Sequence, residues 1–164
     1  MIISWYRSLY GRRRGFLAGV FLLALTLGVP LAAQEARWEE LNAQVEEFYL
    51  RGEYARSIAV EQQAVQVAEA TFGPEHPNVA GSLNNLALLY KAQGKYPEAE
   101  PLYRRALGIR EKALGPVHPD VATVMENLAV LLRKTGRVAE AEKMAARAEA
   151  IRAAHAKMNP RARE

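Results

Sequence analysis

The sequence predicts an all-α fold built from three stacked helical hairpins. A block of the chain repeats after 42 residues, since residues 72–77 read FGPEHP and residues 114–119 read LGPVHP. Around these loops apolar residues recur at intervals of three and four, and no stretch alternates as a half-buried strand does. Repetition at this period indicates units that bury their apolar faces by stacking on one another.

The first 33 residues have the order of a secretory signal. Four arginines, at positions 7, 12, 13 and 14, precede an apolar run over residues 16–33 that contains no charged residue. Small and apolar residues at its end favour cleavage after Ala33. Residues 13–17 (RRGFL) also resemble a twin-arginine export signal, although the arginine at position 12 departs from that pattern.

An uncleaved membrane anchor is the alternative interpretation of this segment. Residues 16–33 are close to the length of about 20 residues that a membrane-spanning helix needs. Basic residues ahead of the run would keep the N-terminus in the cytoplasm. Both interpretations place the repeats outside the cytoplasm. We therefore expect a bacterial protein that is periplasmic or secreted, or anchored in the inner membrane with its repeats outside.

Charge argues against nucleic acid as a partner. The chain has 22 basic and 18 acidic residues, and the four arginines before residue 34 account for the whole excess. The remaining chain is neutral overall and lacks the basic face that binding nucleic acid requires. The sequence has no cysteine, which excludes both a disulfide framework and a lipid attached to an N-terminal cysteine.

Six helices follow the export segment in a domain over residues 34–158. Their predicted bounds are 35–51, 54–72, 77–93, 96–114, 119–135 and 138–157. Gly52, Gly94 and Gly136 each interrupt a hairpin, so the units span about 35–76, 77–118 and 119–158, before a charged tail at 159–164.

Two repeated loop residues, His76 and His118, could suggest a metal site. Neither has acidic or cysteine companions at ligand spacing. Each stands before a proline that suits the first turn of a helix. We therefore predict that both histidines cap the following helix, and we expect no bound metal.

Residues 83–107 carry the pattern LxxLAxxYxxxGxYxxAxxxYxxAL, which resembles a tetratricopeptide repeat. The period of 42 exceeds the usual 34 of that family. The longer period and the Gly-Pro-x-His-Pro loop resemble the variant found in kinesin light chains and in many bacterial repeat proteins. The resemblance covers residues 36–158 and implies a right-handed α-solenoid that binds proteins.

The three units are unequal. Unit one has Ser57 and Glu61 where unit two has Ala99 and Tyr103. Such changes are expected in an end unit because one of its faces meets water. Trp38, ahead of the first strong apolar stripe, is expected to cover the open end of the array.

The resemblance also implies that the first helix of each hairpin lines a concave face that holds a partner. The corresponding positions are Asn42, Glu46 and Tyr49 in unit one, Asn84, Asn85, Leu88 and Lys91 in unit two, and Glu126, Asn127, Val130 and Arg133 in unit three. Asn85 and Asn127 form a matched pair whose amides could clamp an extended peptide. Alternatively, they bond to the neighbouring hairpin and fix its stacking.

Lys91, Arg133 and Lys134 could attract an acidic segment or a terminal carboxylate. The alternative is that these basic side chains only solvate the C-terminal ends of their helices.

Nothing in the sequence predicts an enzyme or a cofactor site. It has no nucleophile motif, no phosphate-binding loop and no cluster of metal ligands. The prediction is an exported adaptor that binds a peptide or protein segment in its concave groove. The alternative is a scaffold that assembles with copies of itself through the ends of the array.

Overall fold

The computed structural model describes residues 29–158, which form six helices joined by short loops. They are α1 (Leu31–Leu50), α2 (Tyr54–Phe72), α3 (Pro77–Ala92), α4 (Tyr96–Leu114), α5 (Pro119–Lys134) and α6 (Val138–Met158). Each helix packs against its neighbours in the chain, and no strand occurs within these residues. The predicted all-α solenoid of three hairpins is therefore confirmed.

The predicted helix ends differ from the observed ones by at most one residue, except at the start of α1. That helix begins at Leu31, directly after Pro30, and the predicted cleavage after Ala33 falls in its first turn. Proline is common at the start of a helix, and the alanines that follow Pro30 are strong helix formers. Most of the predicted export segment, residues 1–28, lies outside the described residues, as does the tail at 159–164.

In each of the two loops between hairpins, a histidine caps the following helix, as predicted. His76 Nδ1 accepts a hydrogen bond from the backbone N–H of Asn78, and His118 Nδ1 accepts one from Asp120, both at 3.1 Å. Each imidazole therefore satisfies one of the free N–H groups at a helix N-terminus. The prediction that these histidines are capping residues is confirmed.

The core uses small side chains where paired helices approach each other. Ala87, Ala99 and Ala106 are fully buried, and Tyr103 fills the space between them. Ser57 and Glu61, the two residues that make unit one atypical, are also fully buried. The Ser57 hydroxyl donates to the carbonyl of Val45 at 3.0 Å, which joins α2 to α1.

The salt bridges between successive hairpins recur with the 42-residue period of the sequence. Arg105 pairs with Glu69 at 2.6 Å between units one and two, and Arg147 pairs with Glu111 at 2.7 Å between units two and three. Both members of the first pair lie 42 residues before those of the second. These exposed pairs contribute little to stability individually, but they fix the same stacking register twice.

Trp38 does not cover the open end of the array, contrary to the sequence-based expectation. Its indole Nε1–H donates to Ser82 Oγ of α3 at 3.0 Å. Its ring meets Phe72 edge to face, with centroids 5.5 Å apart. An indole buries its N–H only where a partner exists, and here that partner belongs to the next hairpin. Trp38 therefore holds unit one against unit two.

The two outer faces of the array are polar where the inner interfaces are apolar. In α3 the positions that meet unit one are the buried residues Val79, Leu86 and Leu89, and the equivalent positions of α1 are Arg37, Gln44 and Glu47. Arg37 and Glu47 are exposed. At the other end, Glu149 of α6 replaces Leu107 and is exposed.

Among the six helices of residues 29–158, none is both long enough and apolar enough to cross a membrane. The same residues bring together no group of three or more potential metal-binding side chains from histidine, cysteine, aspartate and glutamate.

Candidate functional site

A cleft of about 550 Å³ opens between the first helices of units one and two. It is lined by Asn42, Val45, Glu46 and Tyr49 from α1 and by Asn85, Leu88, Leu89, Lys91 and Ala92 from α3. Helices α3 and α5 contact each other, whereas α1 and α3 make no comparable contact. The cleft therefore lies between two helices that contact each other less than the equivalent pair one unit later.

The asparagines of the concave face have different roles in the two inter-unit interfaces. Asn127 Nδ2 donates to Asn84 Oδ1 at 3.0 Å, which joins α5 to α3. The equivalent residues one unit earlier are Asn85 and Asn42, and no hydrogen bond joins them. Asn42 instead donates to the carbonyl of Trp38 in its own helix at 2.7 Å. The stacking interpretation thus describes Asn127, whereas Asn85 faces the cleft.

Asn85 is half-buried, and its amide has no hydrogen-bond partner within residues 29–158. An amide offers both a donor and an acceptor, so it can pair with the backbone of an extended chain of any sequence. A half-buried amide without a partner therefore contributes favourable binding free energy when a ligand supplies its hydrogen bonds.

Lys91 adds a cation to the lining of the cleft. Burial lowers the pKa of its ammonium group, and no carboxylate in the described part of the chain forms a salt bridge with it. Leu88, one turn before it, adds apolar surface. A partly desolvated ammonium beside an apolar patch favours a ligand that carries both a carboxylate and an apolar side chain.

The predicted positions of unit three lie outside this cleft. Glu126 is held by Arg152 of α6, whose Nε and Nη2 donate to its two oxygens at 2.5 and 2.7 Å. These hydrogen bonds lower the pKa of Glu126. Val130 is 41% exposed, and Arg133 is exposed on the same helix. Among the predicted residues of units two and three, the structure brings Asn85, Leu88 and Lys91 into the cleft, together with Asn42, Glu46 and Tyr49 of unit one.

Sequence reasoning missed three apolar residues of the cleft, namely Val45, Leu89 and Ala92. The helical period assigns Val45 and Leu89 to the core, where they are indeed buried. Their additional contact with the cleft depends on the separation of α1 from α3, which no local pattern encodes.

A three-hairpin α-solenoid with an amide-bearing cleft on its first-helix face is a helical repeat protein of the kind that generally supports protein–protein interactions. The model of the tetratricopeptide repeat family matches residues 41–112 and 80–154. The chain belongs to that family. No curated protein matches the sequence significantly.

Solved structures are similar over most of the described residues. BtubC (BKLC) from P. vanneervenii has a TM-score of 0.66 and 28% identity, covering 70% of this chain and 45% of its own. Two structures of a kinesin light chain candidate from Podosopora anserina, with nearly identical TPR-like repeats, have TM-scores of 0.65 and 0.64 and identities of 26% and 25%. They cover 71% and 76% of this chain, and 55% and 57% of their own. The chain thus spans about half the length of these relatives and resembles the kinesin light chain type of repeat.

Proposed function

We propose that this protein is an exported adaptor that binds an extended segment of another protein in the cleft between α1 and α3. The observation that carries the proposal is the unpaired amide of Asn85 beside Lys91 in a cleft of about 550 Å³. Tetratricopeptide repeats generally act as scaffolds for protein interaction, and their fold is typically without catalytic activity.

The α3 wall of the cleft, with Lys91, favours an acidic group in the bound segment, whereas Glu46 adds a carboxylate to the α1 wall. Arg133 and Lys134 lie outside the cleft in the last turn of α5, where neither forms a salt bridge with a described residue. A ligand carboxylate that displaces water from Lys91 would form a charge-assisted hydrogen bond worth about 1.5–3 kcal/mol.

Assembly of the protein with itself is the alternative function, and the outer faces of the array argue against it. A second copy stacked on α1 would bury the charged side chains of Arg37, Glu40 and Glu47. The inner interface buries Val79, Ser82 and Leu89 at the same positions. Arg37 pairs with Glu40 and Glu47 pairs with Arg51, but burial of ion pairs still carries a desolvation cost, so end-to-end stacking is unfavourable at this face.

We infer export only from the sequence of residues 1–33, in which four arginines precede an apolar run. The location we propose is the periplasm or the exterior, with an inner-membrane anchor as the alternative. A reporter enzyme that folds only in the cytoplasm, fused after Glu164, should be inactive. An active fusion would contradict export.

Binding can be tested with a random peptide library displayed on phage and selected against the purified protein. We expect the selected peptides to combine acidic and apolar residues and to bind Lys91→Met at least tenfold more weakly, which corresponds to about 1.4 kcal/mol. Lys143→Met is the matched control, because Lys143 is an exposed residue of α6 far from the cleft residues in sequence. Equal affinity for the wild type and Lys91→Met would contradict the proposal.

Asn85→Ala gives a second test of the same site. We expect it to weaken all selected peptides by a similar factor, because an amide that pairs with the backbone does not distinguish side chains. A loss confined to a few peptides would show that Asn85 reads side chains instead.

A further inference from the structure

Helix α2 carries a buried carboxylate at the interface between units one and two. Glu61 is fully buried, although the equivalent residues of the other units are Tyr103 and Ala145, which carry no charge. Neither carboxylate oxygen has a hydrogen-bond partner of normal geometry. A buried charge without a partner is among the most costly arrangements in a protein interior.

The surroundings of Glu61 contain little to stabilise its ionised form. From α3 the polar side chain that faces it is Ser82, whose Oγ accepts a hydrogen bond from Trp38 of α1 and whose own hydroxyl proton is the group that favours the carboxylate. The charged groups of the three helices that meet here are Glu35, Arg37, Glu39, Glu40, Glu46 and Glu47 on α1, Arg56 and Glu69 on α2, and Lys91 on α3. None of the basic groups forms a salt bridge with Glu61 in the described residues. None of these nine charged side chains contributes to the shift in the pKa of Glu61.

Burial raises the pKa of Glu61 from its ordinary value of 4.5 to about 7, and the Ser82 hydroxyl offsets part of that rise. Where unit one has opened and Glu61 meets water, the carboxyl ionises near its ordinary pKa. Between these two values the open form has lost the proton and the closed form still holds it. The closed form is therefore favoured at low pH, and it loses stability as the pH rises towards 7.

Unit one packs on unit two chiefly through α2, which contacts α3, whereas α1 adds little to that interface. Only Leu41 and Val45 of α1 are buried core residues. Besides the Trp38–Ser82 bond, Gln62 donates to the Tyr90 hydroxyl at 2.9 Å, and Glu69 of α2 pairs with Arg105 of α4 at 2.6 Å. Since α1 also forms one wall of the cleft, movement of unit one changes the width of the cleft.

We propose that Glu61 is a proton-operated latch that holds the first hairpin against the second and so controls the cleft. With the carboxyl protonated, unit one stays packed and both walls of the cleft are in place. Once it is ionised, the buried charge favours detachment of unit one. The control of binding rests on the proposed function of the cleft, whereas the detachment itself does not.

Hydrogen exchange followed by mass spectrometry tests the latch on the full chain without a partner. From the two pKa values, the opening equilibrium of unit one should rise about 30-fold between pH 5.5 and pH 8, after correction for the intrinsic exchange rate. The change should be confined to α1 and α2, and α5 and α6 should show none. Equal protection of α1 at the two pH values would overturn the proposal.

Glu61→Gln should abolish this pH dependence, because the amide has the same size and does not ionise. Glu142→Gln is the matched control, since Glu142 is an exposed carboxylate of α6. It should keep the wild-type pH dependence. A pH effect that persists in Glu61→Gln would assign it to another group and overturn the latch. The assay involves no ligand, so failure of the latch leaves peptide binding standing, and weak peptide binding leaves the latch standing.

Discussion

Removing one oxygen atom from the core should make this protein more stable. Tyr103 is completely buried in α4, and its hydroxyl has no hydrogen-bond partner among the described residues. Burial accordingly raises the pKa of Tyr103 above its usual value. An unsatisfied buried hydroxyl costs about 1–3 kcal/mol. Tyr103→Phe removes that cost and keeps the ring, while the small space left behind offsets part of the gain.

We expect Tyr103→Phe to raise the free energy of unfolding by about 1 kcal/mol, or the Tm by about 3–5 °C for a domain of this size. Urea denaturation measures the effect directly. Tyr90→Phe is the matched control, because the Tyr90 hydroxyl accepts a hydrogen bond from Gln62, and its loss should destabilise by about 0.5–1 kcal/mol. Destabilisation by Tyr103→Phe of 1 kcal/mol or more would show that the hydroxyl is satisfied and would refute the reasoning.

Three further predictions concern turns, caps and the outer face. Gly94→Ala should lower the free energy of unfolding by about 1 kcal/mol, because φ is +74° at that residue. Gly108→Ala should raise it by about 0.5–1 kcal/mol, because this glycine lies inside α4 with open space for the added methyl group. Urea denaturation that shows a change of the same sign for both variants would contradict this. His118→Ala removes the cap of α5 and should lower the free energy of unfolding by about 1 kcal/mol, and an unchanged urea midpoint would exclude that role. Replacing Gln44 and Glu47 together by leucine makes the face of α1 resemble that of α3, so sedimentation should show self-association, and a strictly monomeric variant would contradict the capping role of this face.

The fold could be predicted almost completely because each local signal agrees with the global repeat. Gly94 ends one stripe of apolar residues, and its positive φ shows why glycine is needed there. His76 and His118 occur at the same place in two units, and both cap the following helix. Local signals of this kind act within a few residues, so the sequence displays them directly.

Features that depend on the separation of α1 from α3 could not be predicted. Asn85 and Asn127 occupy equivalent positions, yet Asn127 bonds to Asn84 and Asn85 remains available in the cleft. Glu61 has an uncharged counterpart in each of the other units, yet it is fully buried in α2 beside Ser82 of α3. A sequence repeat shows which residues are equivalent. It does not show the spacing between the helices, and that spacing decides whether equivalent residues make the same contacts.

The central claim is that the cleft between α1 and α3 holds a segment of another protein. The most direct measurement is in-cell photocrosslinking, with the crosslinking residue placed at Leu88 in the cleft or at Lys143 on exposed α6. We expect one dominant adduct with another protein from position 88, lost in the Asn85→Ala background and absent from position 143. Equal adducts from the two positions, or adducts from position 88 with copies of the protein itself alone, would contradict it.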